Sequence, residues 1–231
     1  MSAPVVLNVC ALARSDRAPF RQRQMPSLRQ LLAKHAPLLL LDAASARVQV
    51  GWLTEKASRL ETSDEESGVG VFRCVQALGV DPADAGAFVF CEGPGSILGI
   101  RTTAMALRTW NVLGPKPVFS YQSLALVAHA SGESDLRVIA DARRDSWHVL
   151  QAGGRLQRVA TAELTGKLAT PEHFRNWTPL PAKVSRVPYS LADLLPRVAE
   201  VELFSETSAP DAFLHEEPNY VTWTPQVHRA P

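Results

Sequence analysis

The chain has little cysteine. Cys10, Cys74 and Cys91 are three in 231 residues, an odd number, and too scattered for a disulfide framework or a zinc knuckle. A reducing, cytoplasmic setting is the natural expectation. No apolar run approaches the roughly 20 residues that a membrane helix needs, so no membrane association is expected. Charge of neither sign dominates: 24 Lys and Arg stand against 23 Asp and Glu, a net +1, and the total asks for neither nucleic acid nor a lipid surface. The six histidines (His35, His129, His148, His173, His215, His228) show neither H-x-x-H nor H-E-x-x-H spacing, so no metal site is expected. G-x-S-x-G is also missing, which leaves Ser96, in "GPGSI", without the context of a serine nucleophile.

What is present is a chain with 46% hydrophobic residues, enough for one large packed domain or two small ones. Its head differs from its body. Residues 1–37 carry six basic side chains against Asp16 alone, a local +5 that leaves the remainder at −4. "PVVLNVCALA" resembles a signal-peptide core but is short and lacks a preceding basic residue, and an Arg-rich, acid-poor leader also fits a transit peptide. The preferred expectation is a true start at Met25. On this reading residues 1–24 are an artefact or a disordered tail; residues 1–37 as a whole are expected to be an N-terminal extension, disordered or with a short helix, "SLRQLLAKHA", with Ser27 as its cap.

From Leu38 the pattern changes. "LLLLDAA" is a continuous apolar run closing on Asp42, and "RVQVGWL" alternates, so the two predict a hairpin turned around 44–47, with "KASRLET" as a third strand. Ser63 and Glu66 have the spacing of a capping box, which predicts a helix over 64–78, stopped by Gly79. "AFVFC" predicts a buried strand and 97–113 a helix. "PVFS" is a further strand and "YQSLALVAHA" a further helix. A second unit then repeats the opening theme. "LRVIADARRDSWHVLQA" is again an apolar strand closing on an acid, Asp141, followed by a turn, an alternating strand and a Gly-Gly hairpin. Beyond Thr161 the chain is punctuated by prolines, with one convincing helix in "SLADLLPRVAE".

The stretch "CEGPGSILGIR" is the first candidate for chemistry. A Walker loop needs Lys and Ser or Thr directly after its last glycine, and Ile100 and Arg101 stand there; the dinucleotide fingerprint needs glycine at 98, and Leu98 stands there. What survives is a set of free N–H groups at a helix start with Ser96 as cap, able to receive an anion, or simply a turn made by Gly93, Pro94 and Gly95, with Gly99 allowing close packing. Asp42 and Asp141 either face each other across a cleft as metal-holding carboxylates or each cap their own turn. The predicted helix over 64–78 carries Gly68 and Gly70 inside it and is apolar over more than one face, so another helix, internal or from another chain, can pack closely there.

These residues together resemble the TsaB (YeaZ) family. "GPGSILGIR" is similar to the signature G-P-G-S-F-T-G-x-R. "VIADARRDSWHVLQ" is similar to the family's strand followed by D-A-R, "LLLLDAASARVQVGWL" to its opening strands, and "EPNYVTW" to its closing P-x-Y-x-R region. The resemblance implies an α/β chain with a duplicated actin-like (ASKHA, ribonuclease H-like) fold, the second unit degenerate, divided as 38–132 and 133–231. It implies a scaffold that is not itself an enzyme and that pairs with a TsaD-like transferase, which places threonylcarbamoyl on an adenosine of tRNA, with a TsaE-like ATPase joining and TsaC supplying the activated intermediate. Gly68, Val69, Phe72, Val75 and Gln76 are the implied pairing residues. Gly93, Pro94, Gly95, Ser96, Gly99 and Arg101 are the signature loop, and Asp42 and Asp141 a vestigial nucleotide site. No cofactor of its own is expected, with a nucleotide at the partner boundary left open, and RNA contact is expected mainly from the partner. Ile97-Leu98 replaces Phe-Thr of the signature and Ala43-Ala44 replaces Thr-Ser after Asp42, which weakens any grip on phosphate. The competing expectations are an actin-like enzyme, kinase or peptidase, and a self-associating homodimer using the same helix.

Overall fold

The computed structural model describes residues 25–213. The basic leader 1–24 and the "EPNYVTW" tail lie outside the described residues. Two mixed sheets are built from β1 (Leu38–Asp42), β2 (Val48–Leu53), β3 (Ser58–Ser63), β4 (Ala87–Gly93), β5 (Val118–Gln122) and β11 (Ser205–Glu206), and from β6 (Leu136–Asp141), β7 (Ser146–Gln151), β8 (Gln157–Ala160), β9 (Lys167–Pro171) and β10 (Val184–Val187). The first is ordered β11-β5-β4-β1-β2-β3 and the second β10-β9-β6-β7-β8.

The leucine run explains the first sheet. β1 lies between antiparallel β2 and parallel β4 and is buried along its whole length, which is why it reads as continuous apolar sequence instead of alternating. β6 occupies the same place in the second sheet, between antiparallel β7 and parallel β9. Five helices surround the sheets: α1 (Leu28–His35), α2 (Ser67–Leu78), α3 (Ile97–Leu113), α4 (Ser123–Ser131) and α5 (Leu191–Arg197). The main core runs from Leu38–Leu41 through α4 to Val138, Ala140 and Ala169 of the second sheet, so the two sheets share buried apolar surface. Ile139, Trp147, Val149 and Leu168 form a smaller cluster on the second sheet.

Two local expectations need correction, and a third resolves an alternative. Ser63 does not cap a helix. It extends β3 opposite Val48, its hydroxyl accepts from Glu65 N–H, and α2 starts at Ser67 after Glu66, which makes no side-chain cap bond. The ladder to β2 satisfies the Ser63 backbone and outcompetes the capping box. Beyond Thr161 the chain also makes β9 and β10, parallel to each other and with β9 parallel to β6; these short segments lack alternation, and only their pairing reveals them. Of the two readings of 27–36, the short helix capped by Ser27 is the one present: Ser27 and Gln30 form a capping box, Leu28 and Leu31 are buried, and Arg29 N–H donates to the Ala199 carbonyl.

The glycines divide by environment. A side chain at Gly99 would collide with the Ala43 carbonyl, whereas one at Gly68 would meet nothing within 4 Å. Gly99→Ala should therefore destabilise the fold by about 1–3 kcal/mol through overpacking, and Gly68→Ala should stabilise it by up to about 1 kcal/mol through helix propensity. Urea melts of the two variants check this, and shifts of the same sign would contradict the assignment.

Candidate functional site

At the carboxyl end of β1, Asp42 is fully buried. Its Oδ1 accepts from Ala44 N–H at 2.9 Å, and its Oδ2 accepts from the hydroxyls of Tyr121 and Tyr189, each at 2.6 Å. Tyr121 lies one residue before the end of β5 and Tyr189 precedes α5, so one carboxylate joins segments 79 and 147 residues away. Gln49 strengthens the same junction: its Nε2 donates to the Tyr189 carbonyl at 3.1 Å, and its Oε1 accepts from Leu191 N–H at 2.8 Å. Burial pushes the Asp42 carboxyl above its ordinary value of 3.8, opposed by the hydrogen bonds from Tyr121, Tyr189 and Ala44. Burial likewise raises both tyrosine hydroxyls and the Cys91 thiol well above their ordinary values, so Cys91 is a protonated core residue and a poor nucleophile.

The signature loop closes over the place where a phosphate would approach. Ser96 N–H donates to the Ala44 carbonyl at 2.7 Å, and Ser96 Oγ accepts from Gly99 N–H at 3.3 Å. A side chain at Gly95 would strike the Ala44 carbonyl, as one at Gly99 would strike that of Ala43. Backbone carbonyl oxygens of 43 and 44 thus press on the start of α3, and they are negative ends of dipoles where an anion would need positive ones. Pro94 and Gly93 complete the turn, with the Pro94 carbonyl accepting from buried Ser123 Oγ at 2.6 Å and Gly93 at a φ of 112°.

Asp141 performs the same service in the second sheet. Its Oδ1 accepts from Arg143 N–H at 2.5 Å, and its Oδ2 from Trp177 and Thr178 N–H at 2.5 and 2.6 Å. Asp42 and Asp141 therefore each tie down a turn, and they share no hydrogen-bond partner among the described residues. No group of three or more His, Cys, Asp or Glu among those residues is arranged to hold a metal.

The exposed chemistry lies elsewhere, on α2 and α3. Val69 and Phe72 are about half exposed, at 48% and 49%, and Gln76 follows on the same helix, also exposed. Val75 is a correction: it is buried in the core and presents nothing to a partner. Gly70 is buried too, where an added methyl would press on Val48 and Ser63, so it serves internal packing of α2 on the sheet. On α3, Leu98, Met105 and Val112 recur every seven residues and are 76%, 56% and 83% exposed. That spacing makes a stripe of the kind that seats another helix, and sequence reading missed it by weighing Leu98 only against phosphate-binding motifs. Phe72, Leu98, Met105, Ala106 and Trp110 line a shallow groove of about 400 Å³, with Arg101, Thr102 and Thr109 as its polar groups. Phe72 meets Trp110 edge to face at 6.2 Å, and Trp110 in turn packs on Phe88 at 6.0 Å, which anchors the groove to the sheet. Arg101 and Arg108 both reach Asp211, at 3.7 and 3.5 Å.

No family model and no curated protein sequence matches the chain. Solved structures do. One is described as an uncharacterized protein from Pseudomonas aeruginosa with similarity to peptidase YEAZ; it is 18% identical, with a TM-score of 0.52 over 69% of this chain and 88% of its own. Another is YeaZ from Pseudomonas aeruginosa, 20% identical, with a TM-score of 0.52 over 70% of this chain and 89% of its own. The chain therefore has a YeaZ-like fold.

Removing the Asp42 side chain orphans two buried hydroxyls, so Asp42→Ala should cost about 2–4 kcal/mol. Asp42→Asn, which keeps an acceptor, should be far milder. Because folding raises the Asp42 pKa, the folded state holds more protons than the unfolded one from about 3.8 up to the raised value. Wild-type stability relative to Asp42→Asn should therefore rise as pH falls through that window. Parallel melts across pH 4–7 read this, and a difference that falls with acidification would refute it.

Proposed function

We propose that this chain is a non-catalytic partner of a TsaD-like transferase in formation of N6-threonylcarbamoyladenosine in tRNA, with a duplicated actin-like architecture and a TsaE-like ATPase as a further member of the assembly. The observation that carries this reading is the contiguous apolar surface of α2 and α3, on which Val69, Phe72, Leu98 and Met105 stand exposed around a groove. Apolar patches of this kind mark protein interfaces. A second support is chemical. The Ala43 and Ala44 carbonyls pack against the loop and the first turn of α3, and Asp42 is engaged by two tyrosine hydroxyls, which suits a scaffold better than an actin-like kinase.

On this reading α3 contributes at least as much as α2. The residue that replaces the signature threonine, Leu98, becomes a contact residue, and Arg101 borders it. The transferase brings the catalytic metal and its own active site, and this chain orients it by gripping a helix pair.

Affinity capture with the tagged chain from its native cells should recover a TsaD-like protein. Phe72→Glu and Leu98→Glu should each weaken that capture by more than tenfold. Both should melt within a few degrees of wild type, since exposed substitutions cost little. Depletion of the chain should lower the modified nucleoside in bulk tRNA. Unchanged nucleoside levels would overturn the reading. Loss of a homodimer by light scattering in the same variants, with no transferase captured, would assign the face to self-association.

A further inference from the structure

The charge of the body is segregated. Residues 137–187, which form most of the second sheet, carry nine basic and four acidic side chains, a net +5, whereas the rest of residues 38–231 sums to −9. A near-neutral total therefore conceals a basic region on one sheet. Three of its arginines stand at the carboxyl ends of β6 and β9, which run in the same direction, matched in number by Asp141, Asp145 and Glu172; Asp141 is engaged by backbone N–H groups and Asp145 by the Thr161 hydroxyl. Arg143 and Arg144 lie in the turn after β6 and Arg175 in the loop after β9; all three are exposed. None of the three has a carboxylate partner among the described residues.

An aromatic platform stands among them. Trp177 is 69% exposed, yet it is held in place: its N–H donates to Asp141 Oδ2, and the Arg143 guanidinium lies 5.2 Å from the ring centroid. The turn that delivers Arg143 is unusual. Arg143, Arg144 and Asp145 take φ values of 63°, 51° and 54° in succession, a left-handed run that L side chains ordinarily avoid. Asp141 Oδ1 holds it from one side, the Ser146 hydroxyl donating to the Arg143 carbonyl from within, and Thr161 N–H donating to the Asp145 carbonyl from the other. Strain maintained by so many partners around an exposed Arg-Trp pair points to function. Guanidinium groups beside a rigid, exposed aromatic ring are the chemistry that binds an unpaired base together with its flanking phosphates.

We propose that this corner of the second sheet binds single-stranded RNA, with a base stacked on Trp177 and adjacent phosphates received by Arg143, Arg144 and Arg175. The choice of RNA over DNA rests on the tRNA reading above. The surface itself does not, because its binding is measured without any transferase. It also revises the expectation that RNA is contacted mainly through the partner, which followed from the average charge of the body.

Fluorescence anisotropy of the full chain with an unstructured 12-nucleotide RNA tests this. Binding should weaken with salt. Arg143→Gln with Arg144→Gln should reduce the slope of log affinity against log salt by about 1.4, two phosphate contacts at about 0.7 each. Trp177→Ala should weaken binding at least about fivefold, Trp177→Phe should largely restore it, and Lys34→Glu on α1 should leave it unchanged. Circular dichroism melts confirm that each variant folds. The proposal fails if no RNA binds, if the Arg and Trp variants bind as wild type does, or if an RNA duplex of equal length binds as tightly. Tighter binding of the matching DNA strand would overturn the assignment to RNA. Loss of transferase capture with RNA binding intact would count against the partner reading alone.

Discussion

The fold turns on one buried carboxylate. Asp42 ends the central strand of the first sheet and gathers the 42–44 turn, the end of β5 and the segment leading into α5 onto its two oxygens. A buried acid is costly in isolation, and its cost is offset only while all of its donors are in place. Gln49, one strand over, ties the backbone on both sides of Ser190 to β2. Because Tyr189 comes from 147 residues further along the chain, this junction ties the position of α5 to β1 and β2. The arrangement is specific more than it is strong, since burial raises the pKa of the acid instead of lowering it.

That junction also sets what the signature loop can do. With Ala44 N–H drawn onto Asp42, the Ala43 and Ala44 carbonyls are aimed at the first turn of α3, and glycine at 95 and 99 is required for them to come so close. The turn into the helix is thereby packed against carbonyls of its own chain, of which that of Ala44 accepts from Ser96 N–H. Two small residues after Asp42 permit the approach, which gives Ala43 and Ala44 a positive role in packing, beyond the loss of hydroxyls.

How much of this was legible follows from the range of each interaction. β1, β4 and α3 could be read because their signals are local: a leucine run buried on both faces, an apolar strand, and a Ser cap followed by helical periodicity. The start of α2 was misread because Ser63 has two local options, and only the ladder to Val48 decides between them. β9 and β10 were invisible for the same reason, being strands by virtue of their neighbours. In the candidate site, Asp42, Asp141 and the loop glycines were identifiable as special, but their duties depend on Tyr121, Tyr189 and Trp177, which lie 36 to 147 residues away. Val75 was misplaced because an all-round apolar helix does not announce which side faces the sheet. The +5 stretch, by contrast, was in the sequence throughout, and averaging over the whole body hid it.

Leu98 links the closed site to the open face. In the first turn of a helix packed so closely against the Ala43 carbonyl, a hydroxyl has little room to serve a phosphate. An apolar side chain at that position points to a different use, and Leu98 is 76% exposed at the head of the stripe continued by Met105 and Val112. The same exchange appears in α2, where Gly70 faces the sheet and Val69 and Phe72 face out. The interior turn holds few of the polar side chains that a nucleotide would need, and apolar groups that a nucleotide would not need stand on the adjoining surface. Of these two helices, the outer faces and not the turn into α3 are thereby left able to receive another molecule.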